Sequence, residues 1–347
     1  MRPAFSSGGF LKQSAAVLWT RLSTLTFYFI GDASFGSARG LQAQGRDRLG
    51  QTTDRSTDPF IRLPRHSDVG NSIKTVHAFG TSLKLFDMAQ LRNALVREAL
   101  LFLLAVQFLT RLPLPQDLGF SPTRLGAARR YFPLVGAAVG GLGALAYGAA
   151  ALVQLPQVIA ALLATAATIL VTGAFHEDGL ADTFDGLGAF NREKMLEIMQ
   201  DSRIGIFGAV GLGMTLALKV AALASLPIAL AMACLVVGHG LSRLSNVVVA
   251  ATSPYIRTSG AGSLLVGRLS WGGTSLAAAT GLGCLAVVST ISVPHALAGL
   301  AGLALGHLAM RGLYEKRLGG HTGDTQGAVQ QWSELGLYLG ILAWHSH

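Results

Sequence analysis

The segment FHEDGLADTFDGLGAF, residues 175–190, places Glu177, Asp178, Asp182 and Asp185 within nine positions. Asp178, Asp182 and Asp185 stand at i, i+4 and i+7, so on a helix they share one face, about a turn apart. Like charges so spaced repel, and several hard oxygen ligands together suit Mg²⁺ or Mn²⁺. The plain alternative is a solvated acidic helix start, favoured by the N-terminal dipole. The flanking Gly179, Gly186 and Gly188 leave room for phosphates to approach and favour the metal.

Two further polar clusters follow. In QDSRIGIFGAVGLG (200–213), Asp201 and Arg203 precede an apolar run entered through Gly205 and Gly208. Backbone N–H groups at such an entry can face a phosphate, although glycine-rich entries are common in membrane helices. In RLGGHTGDTQGA (317–328), Gly319, Gly320, Gly323 and Gly327 surround His321, Thr322 and Asp324. Such a loop can close around a ligand and add a carboxylate; an ordinary turn explains it equally well. Within apolar runs lie Lys219 and the set His239, Arg243 and Asn246. Ionisable residues inside a membrane are functional candidates by default. Arg243 either pairs with a diphosphate or an aspartate, or snorkels to the interface. His295 and His307 read as structural. Together these residues suggest phosphoryl-type transfer from a diphosphate donor at a membrane surface, with a metal neutralising charge. No Walker motif, dinucleotide-binding glycine pattern or hydrolase serine elbow occurs.

The elements that must position these groups are membrane helices. The chain has 347 residues, 51% hydrophobic and 13% charged, with mean hydropathy +0.48. A soluble domain needs about 25% charge. Gly and Ala fill the apolar runs, as expected where helices pack closely in a bilayer. The expected fold is all-α, a polytopic membrane bundle of about six to eight helices in hairpin pairs. Six apolar spans are clear: 131–152, 157–175, 205–225, 228–250, 273–293 and 295–313. Shorter runs at 99–110 and 335–344 are nearer the length of re-entrant or interfacial segments. Within pairs the connections are short and carry proline (LPQ, SLP, SVPH) and no Lys or Arg. Between pairs they are long and carry residues such as Arg111, Arg129, Arg203, Arg257 and Arg317. The positive-inside rule then puts the long loops, and the acidic stretch, on the cytoplasmic side.

Residues 1–87 differ, with 11 Lys/Arg against 6 Asp, five of the net charge of +9. They read as an N-terminal extension, disordered or owed to a start codon assigned too far upstream. Met88 opens the membrane-embedded unit, residues 88–347. The basic residues are not interleaved with aromatics, so nucleic acid is not an expected partner. Cys234 and Cys284 lack metal-ligand spacing and read as small buried hydrophobes.

LLAVQFLTRLPLP (103–115), FHEDGLADTFDGLGAF, DSRIGIFGAVGLG and GGHTGDTQGA occur in an order that resembles the cobalamin synthases, or adenosylcobinamide-GDP ribazoletransferases. The resemblance covers essentially all of 88–347. It implies a Mg²⁺-dependent enzyme of the cytoplasmic (cell inner) membrane, acting late in vitamin B12 assembly. Its substrates would be adenosylcobinamide-GDP and α-ribazole, or α-ribazole 5′-phosphate, and its products adenosylcobalamin, or its 5′-phosphate, and GMP. By that mapping Glu177, Asp178, Asp182, Asp185 and Asp201 would hold the metal. Asp182, Asp185 and Arg243 would act in catalysis, with Arg203, Gly205, Gly320, Gly323 and Asp324 at the ligand. A homo-oligomer fits the Gly/Ala-rich helices and the large corrinoid substrate. A CDP-alcohol phosphotransferase would show Ala-Arg after its first aspartates, whereas Ala181 precedes Asp182. A cation-coupled transporter would carry its carboxylates near the bilayer midplane.

Overall fold

The structure is a computed structural model that describes residues 69–115, 118–257, 261–265 and 267–347. Residues 1–68, which hold most of the expected extension, lie outside the described residues. The described residues are helical and form no strand; an isolated parallel bridge joins Tyr255 to His321. In chain order the α-helices are α1 (Val69–Leu109), α2 (Pro122–Ala128), α3 (Phe132–Leu152), α4 (Gln157–Thr172), α5 (Phe175–Leu187), α6 (Arg192–Ile198), α7 (Ile206–Ala224), α8 (Ile228–Thr252), α9 (Trp271–Gly283), α10 (Leu285–Ser289), α11 (Val293–Leu318) and α12 (Gly323–His345). The first of these runs through position 88 without a break.

Five helical stretches are long and apolar enough to cross a membrane, and a sixth follows if the bent pair α4–α5 counts as one span. The sequence places three of them within four residues at each end; the span read as 295–313 ends at Leu318, the one read as 131–152 begins at Pro122, and the one read as 157–175 continues past the bend to Leu187. Leu145, Leu170, Leu305 and Leu308 stand exposed on the outside of the bundle, where lipid rather than water suits them. Inside, Tyr147, Leu223, Leu235, Val237 and Tyr338 pack into a core drawn from α3, α7, α8 and α12.

Two features set up the functional end. The first is the bend between α4 and α5. Gly173 ends α4 at φ 68° and Ala174 follows at φ 60°, a left-handed conformation disfavoured for a residue with a Cβ. Two left-handed residues in succession turn the chain through 93°. The acidic helix therefore leaves the direction of the span and runs across the end of the bundle. The second is α12, which is longer than its apolar run at 335–344 because its N-terminal half is polar and buried. It lies antiparallel on α11, with Gly302 against Gly336 and Ala298 against Gly340. A Cβ on Gly302 would collide with the Gly336 carbonyl, so the seam depends on having no side chains there.

The long connections meet at this end. Arg111 N–H donates to the Val171 carbonyl at 2.7 Å, and the Arg317 guanidinium donates to the Leu187 carbonyl at 2.8 Å. The chain at 254–256 is stitched to His321 by Ile256 N–H to the His321 carbonyl (3.1 Å) and His321 N–H to the Pro254 carbonyl (2.9 Å).

Candidate active site

Thr322 caps α12 reciprocally with Thr325: Thr325 N–H donates to Thr322 Oγ1 at 3.2 Å, and Thr322 N–H to Thr325 Oγ1 at 2.9 Å. Such a box fixes the first helical turn, and that turn carries Asp324. Gly179 of α5 crosses at this point; a Cβ there would stand 2.7 Å from the Asp324 carbonyl oxygen. The close crossing brings Asp324 to the face of α5 that bears Asp178 and Asp182. The room left by Gly179 is thus filled by α12, and that of Gly186 by Met195 and Met199.

Electrostatics record the gathering of charge. Burial, then the Asp178 and Asp324 carboxylates, push Asp182 up to about 7 from an ordinary 3.8, against the opposing pull of Arg257. Burial also raises Asp178. Asp324 is raised by burial despite its ion pair with Arg257, whose Nη1 lies 2.6 Å from Asp324 Oδ2. The other guanidinium donors of Arg257, Nε and Nη2, are buried and have no hydrogen-bond partner among the described residues. Asp178, Asp324 and Arg257 line one cavity of about 170 Å³, and Gly323 borders it.

The other sequence candidates lie elsewhere. Glu177, one residue from Asp178, points into the bundle, where Gln331 donates to it at 2.9 Å. Asp185 accepts from Gly205 N–H and Gly208 N–H, both at 2.7 Å. The anion at the N-terminus of α7 is therefore Asp185 itself, in the position the sequence offers to a phosphate. Asp201 and Arg203 form an exposed ion pair of 2.6 Å beside it, and the hydrogen bonds from Arg203 hold Asp201 down at about 2. Gly320 packs on Pro254 and Ile256. Arg243 is 1% exposed and donates to the His239 carbonyl at 2.8 Å, away from the cavity. Among the described residues no three His, Cys, Asp or Glu side chains stand close enough to hold a metal unaided.

Sequence reasoning missed two parts of this arrangement. Arg257 enters there only as one of many loop cations, because its place depends on the long-range stitch to His321. Behind the site lies a buried network that the sequence shows only in part. Lys219 pairs with Glu334 at 2.9 Å and donates to Gln331 at 2.6 Å. Gln330 joins Ser242 to Glu334, each at 2.8 Å, and Tyr338 donates to Glu334 at 3.0 Å. Gln330, Glu334 and Tyr338 recur every fourth residue, a one-face polar pattern that was available as a signal.

The family profile for cobalamin-5-phosphate synthase matches residues 101–342. A relative from Leptothrix cholodnii, named adenosylcobinamide-GDP ribazoletransferase, is 44% identical over 267 residues, covering 72% of this chain and 97% of its own. Relatives of the same name from Shewanella amazonensis and Ralstonia pickettii are 40% and 39% identical. They cover 71% and 70% of this chain and 96% and 94% of their own. No solved structure matches the chain.

Proposed function

The chain belongs to the cobalamin-5-phosphate synthase family, and from that premise we propose that it transfers the adenosylcobinamide phosphate group of adenosylcobinamide-GDP to α-ribazole or its 5′-phosphate, with release of GMP. The observation that carries the reading is the meeting of Asp178, Asp182 and Asp324 from two distant segments beside Arg257, whose guanidinium keeps two donors without partners among the described residues. A diphosphate ester needs cations around its phosphates, and a guanidinium with spare donors meets that need directly.

The carboxylates also suit Mg²⁺ in kind. Their crowding is visible in the displaced Asp182, which a cation would relieve. Mg²⁺ is commonly held by one or two carboxylates, with substrate phosphates and water completing its shell. The lack of a closed three-ligand cluster is compatible with that habit. We assign Asp178 and Asp324 as the metal-holding carboxylates; the ion would neutralise the diphosphate and the departing phosphate. Arg257 holds phosphate oxygen. A ribose ring hydroxyl of ribazole, which a 5′-phosphate leaves free, attacks the cobinamide-linked phosphorus, a new P–O bond forms, and the bridging P–O bond breaks so that GMP leaves with the bridging oxygen. Asp182, whose carboxyl titrates near neutrality, receives the hydroxyl proton. Asp185 orders the entry to α7 rather than touching substrate. The positive charge of the long loops supports an inner-membrane enzyme with this site facing the cytoplasm.

The test is GMP formation by the purified chain in lipid vesicles. Release of GMP is expected only when adenosylcobinamide-GDP and ribazole are both present. Passage of either compound into sealed vesicles without GMP formation would replace this reading with a transporter.

A further inference from the structure

The cavity that Asp178 and Asp324 line has an aromatic part and a polar part. Phe108 and Phe132 lie parallel with ring centroids 5.8 Å apart, and Phe175 meets Phe108 edge-on at 5.4 Å. These rings and Leu265 face the cavity from α1, α3, α5 and the 261–265 turn. The polar part of the lining includes Asn246 of α8 and His176 of α5, beside Asp178, Arg257 and Asp324. Asn246 is 7% exposed and His176 2%, yet among the described residues Asn246 Oδ1 and His176 Nε2 have no hydrogen-bond partner. A buried polar atom left unpaired is costly, so two of them on side chains that line one cavity point to a ligand whose binding lets them pair.

Size narrows the ligand. An apolar cavity of about 150 Å³ accepts benzene, so about 170 Å³ takes one small ring system and excludes a corrin macrocycle. Of the two bases in the reaction, guanine presents a polar edge of several donors and acceptors and needs a partner for each. The fused ring of ribazole presents a mainly hydrocarbon surface and one free ring nitrogen, which matches an aromatic lining with one unpaired histidine nitrogen near it. We propose that this cavity seats the base of ribazole. The phenylalanines contact the ring, His176 donates from Nε2 to its nitrogen, and Asn246 Oδ1 accepts from a sugar hydroxyl. A ribose ring hydroxyl is thereby directed at Asp178, Asp182 and Asp324. The proposal rests on the transferase reading and adds the seat of the attacking nucleoside to it.

Equilibrium binding of ribazole alone and of GMP alone to the full chain in lipid nanodiscs provides the test, together with KM for each substrate in turnover. Phe175 is 42% exposed, so Phe175→Ala removes a wall with little of the core. It is expected to weaken ribazole binding about tenfold, in keeping with the strength of aromatic contacts, and to leave GMP binding unchanged. Phe175→Trp restores the aromatic face and is expected to recover ribazole affinity, which a general loss of folding would not do. Asn246→Leu, similar in volume, is expected to raise KM for ribazole and not for adenosylcobinamide-GDP. Ribazole affinity unchanged in both Phe175→Ala and Asn246→Leu overturns the proposal, and so does loss of GMP binding with ribazole binding intact, which would make the cavity a guanine seat. Failure of the wild-type chain to form GMP would instead refute the transferase reading itself.

Discussion

Asp182 is the residue whose chemistry is most exposed to experiment. Its folded-state value of about 7 lies above the ordinary 3.8, so the folded chain holds this proton more tightly than the unfolded one. The stability it contributes is complete below the unfolded value and is lost as pH rises through about 7. Catalysis has the opposite sign, because a proton acceptor must be ionised. A cation on Asp178 and Asp324 lowers that value, so the acid limb of turnover at limiting substrate is expected below pH 7 in excess Mg²⁺ and is expected to move up toward about 7 as Mg²⁺ becomes limiting. An acid limb that stays in place as Mg²⁺ is varied would exclude Asp182 as the acceptor. Asp182→Asn is expected to abolish GMP release while Mg²⁺ binding persists through Asp178 and Asp324. Arg257→Ala removes charge-assisted hydrogen bonds worth about 1.5–3 kcal/mol. KM for adenosylcobinamide-GDP should then rise on the order of 10- to 100-fold, and an unchanged KM would take Arg257 off the diphosphate. Spacing alone put Asp178 and Asp182 on one helix face, since i and i+4 share a face whatever the helix packs against. It could not separate Glu177 from them, because adjacent residues point about 100° apart and only the fold says which side is interior. Nor could it find Arg257, which a backbone stitch between distant loops delivers.

At the scale of elements, the acidic helix is held by its crossing with α12 and by the charges buried behind it. Lys219 and Glu334 are almost wholly inside the bundle, and removing one partner of such a pair leaves an uncompensated charge, at a cost of about 3–5 kcal/mol. Lys219→Met is therefore expected to lower the thermal midpoint in detergent sharply, and Lys219→Met with Glu334→Gln to recover part of the loss. A Lys219→Met protein as stable as wild type would show that the pair is not charged. The glycine seam of α11 and α12 makes the same point in steric terms: Gly302→Leu should force the helices apart and reduce stability and turnover together. The six spans were readable because lipid imposes a length and an apolar composition on any crossing helix. The full extent of α12 was not, since its first half trades apolar side chains for Gln330, Gln331 and Glu334, which find partners only once α5, α7 and α8 surround them. The 93° bend was likewise hidden, for Ala174 adopts its left-handed backbone only under the constraint of the packed ends.

For the whole molecule, the reaction joins a membrane bundle to chemistry at one of its ends, and every group assigned to that chemistry lies within residues 88–347. A chain begun at Met88 is expected to insert and to form GMP at the full-length rate; an absent or inactive product would show that the preceding residues are needed. The most direct test of the central claim, transfer at a carboxylate cradle that holds a divalent metal, is GMP release from adenosylcobinamide-GDP and ribazole by metal-stripped protein in vesicles as Mg²⁺ is added back. No release is expected under EDTA, with full recovery on excess Mg²⁺; release that is unchanged by EDTA would contradict the account.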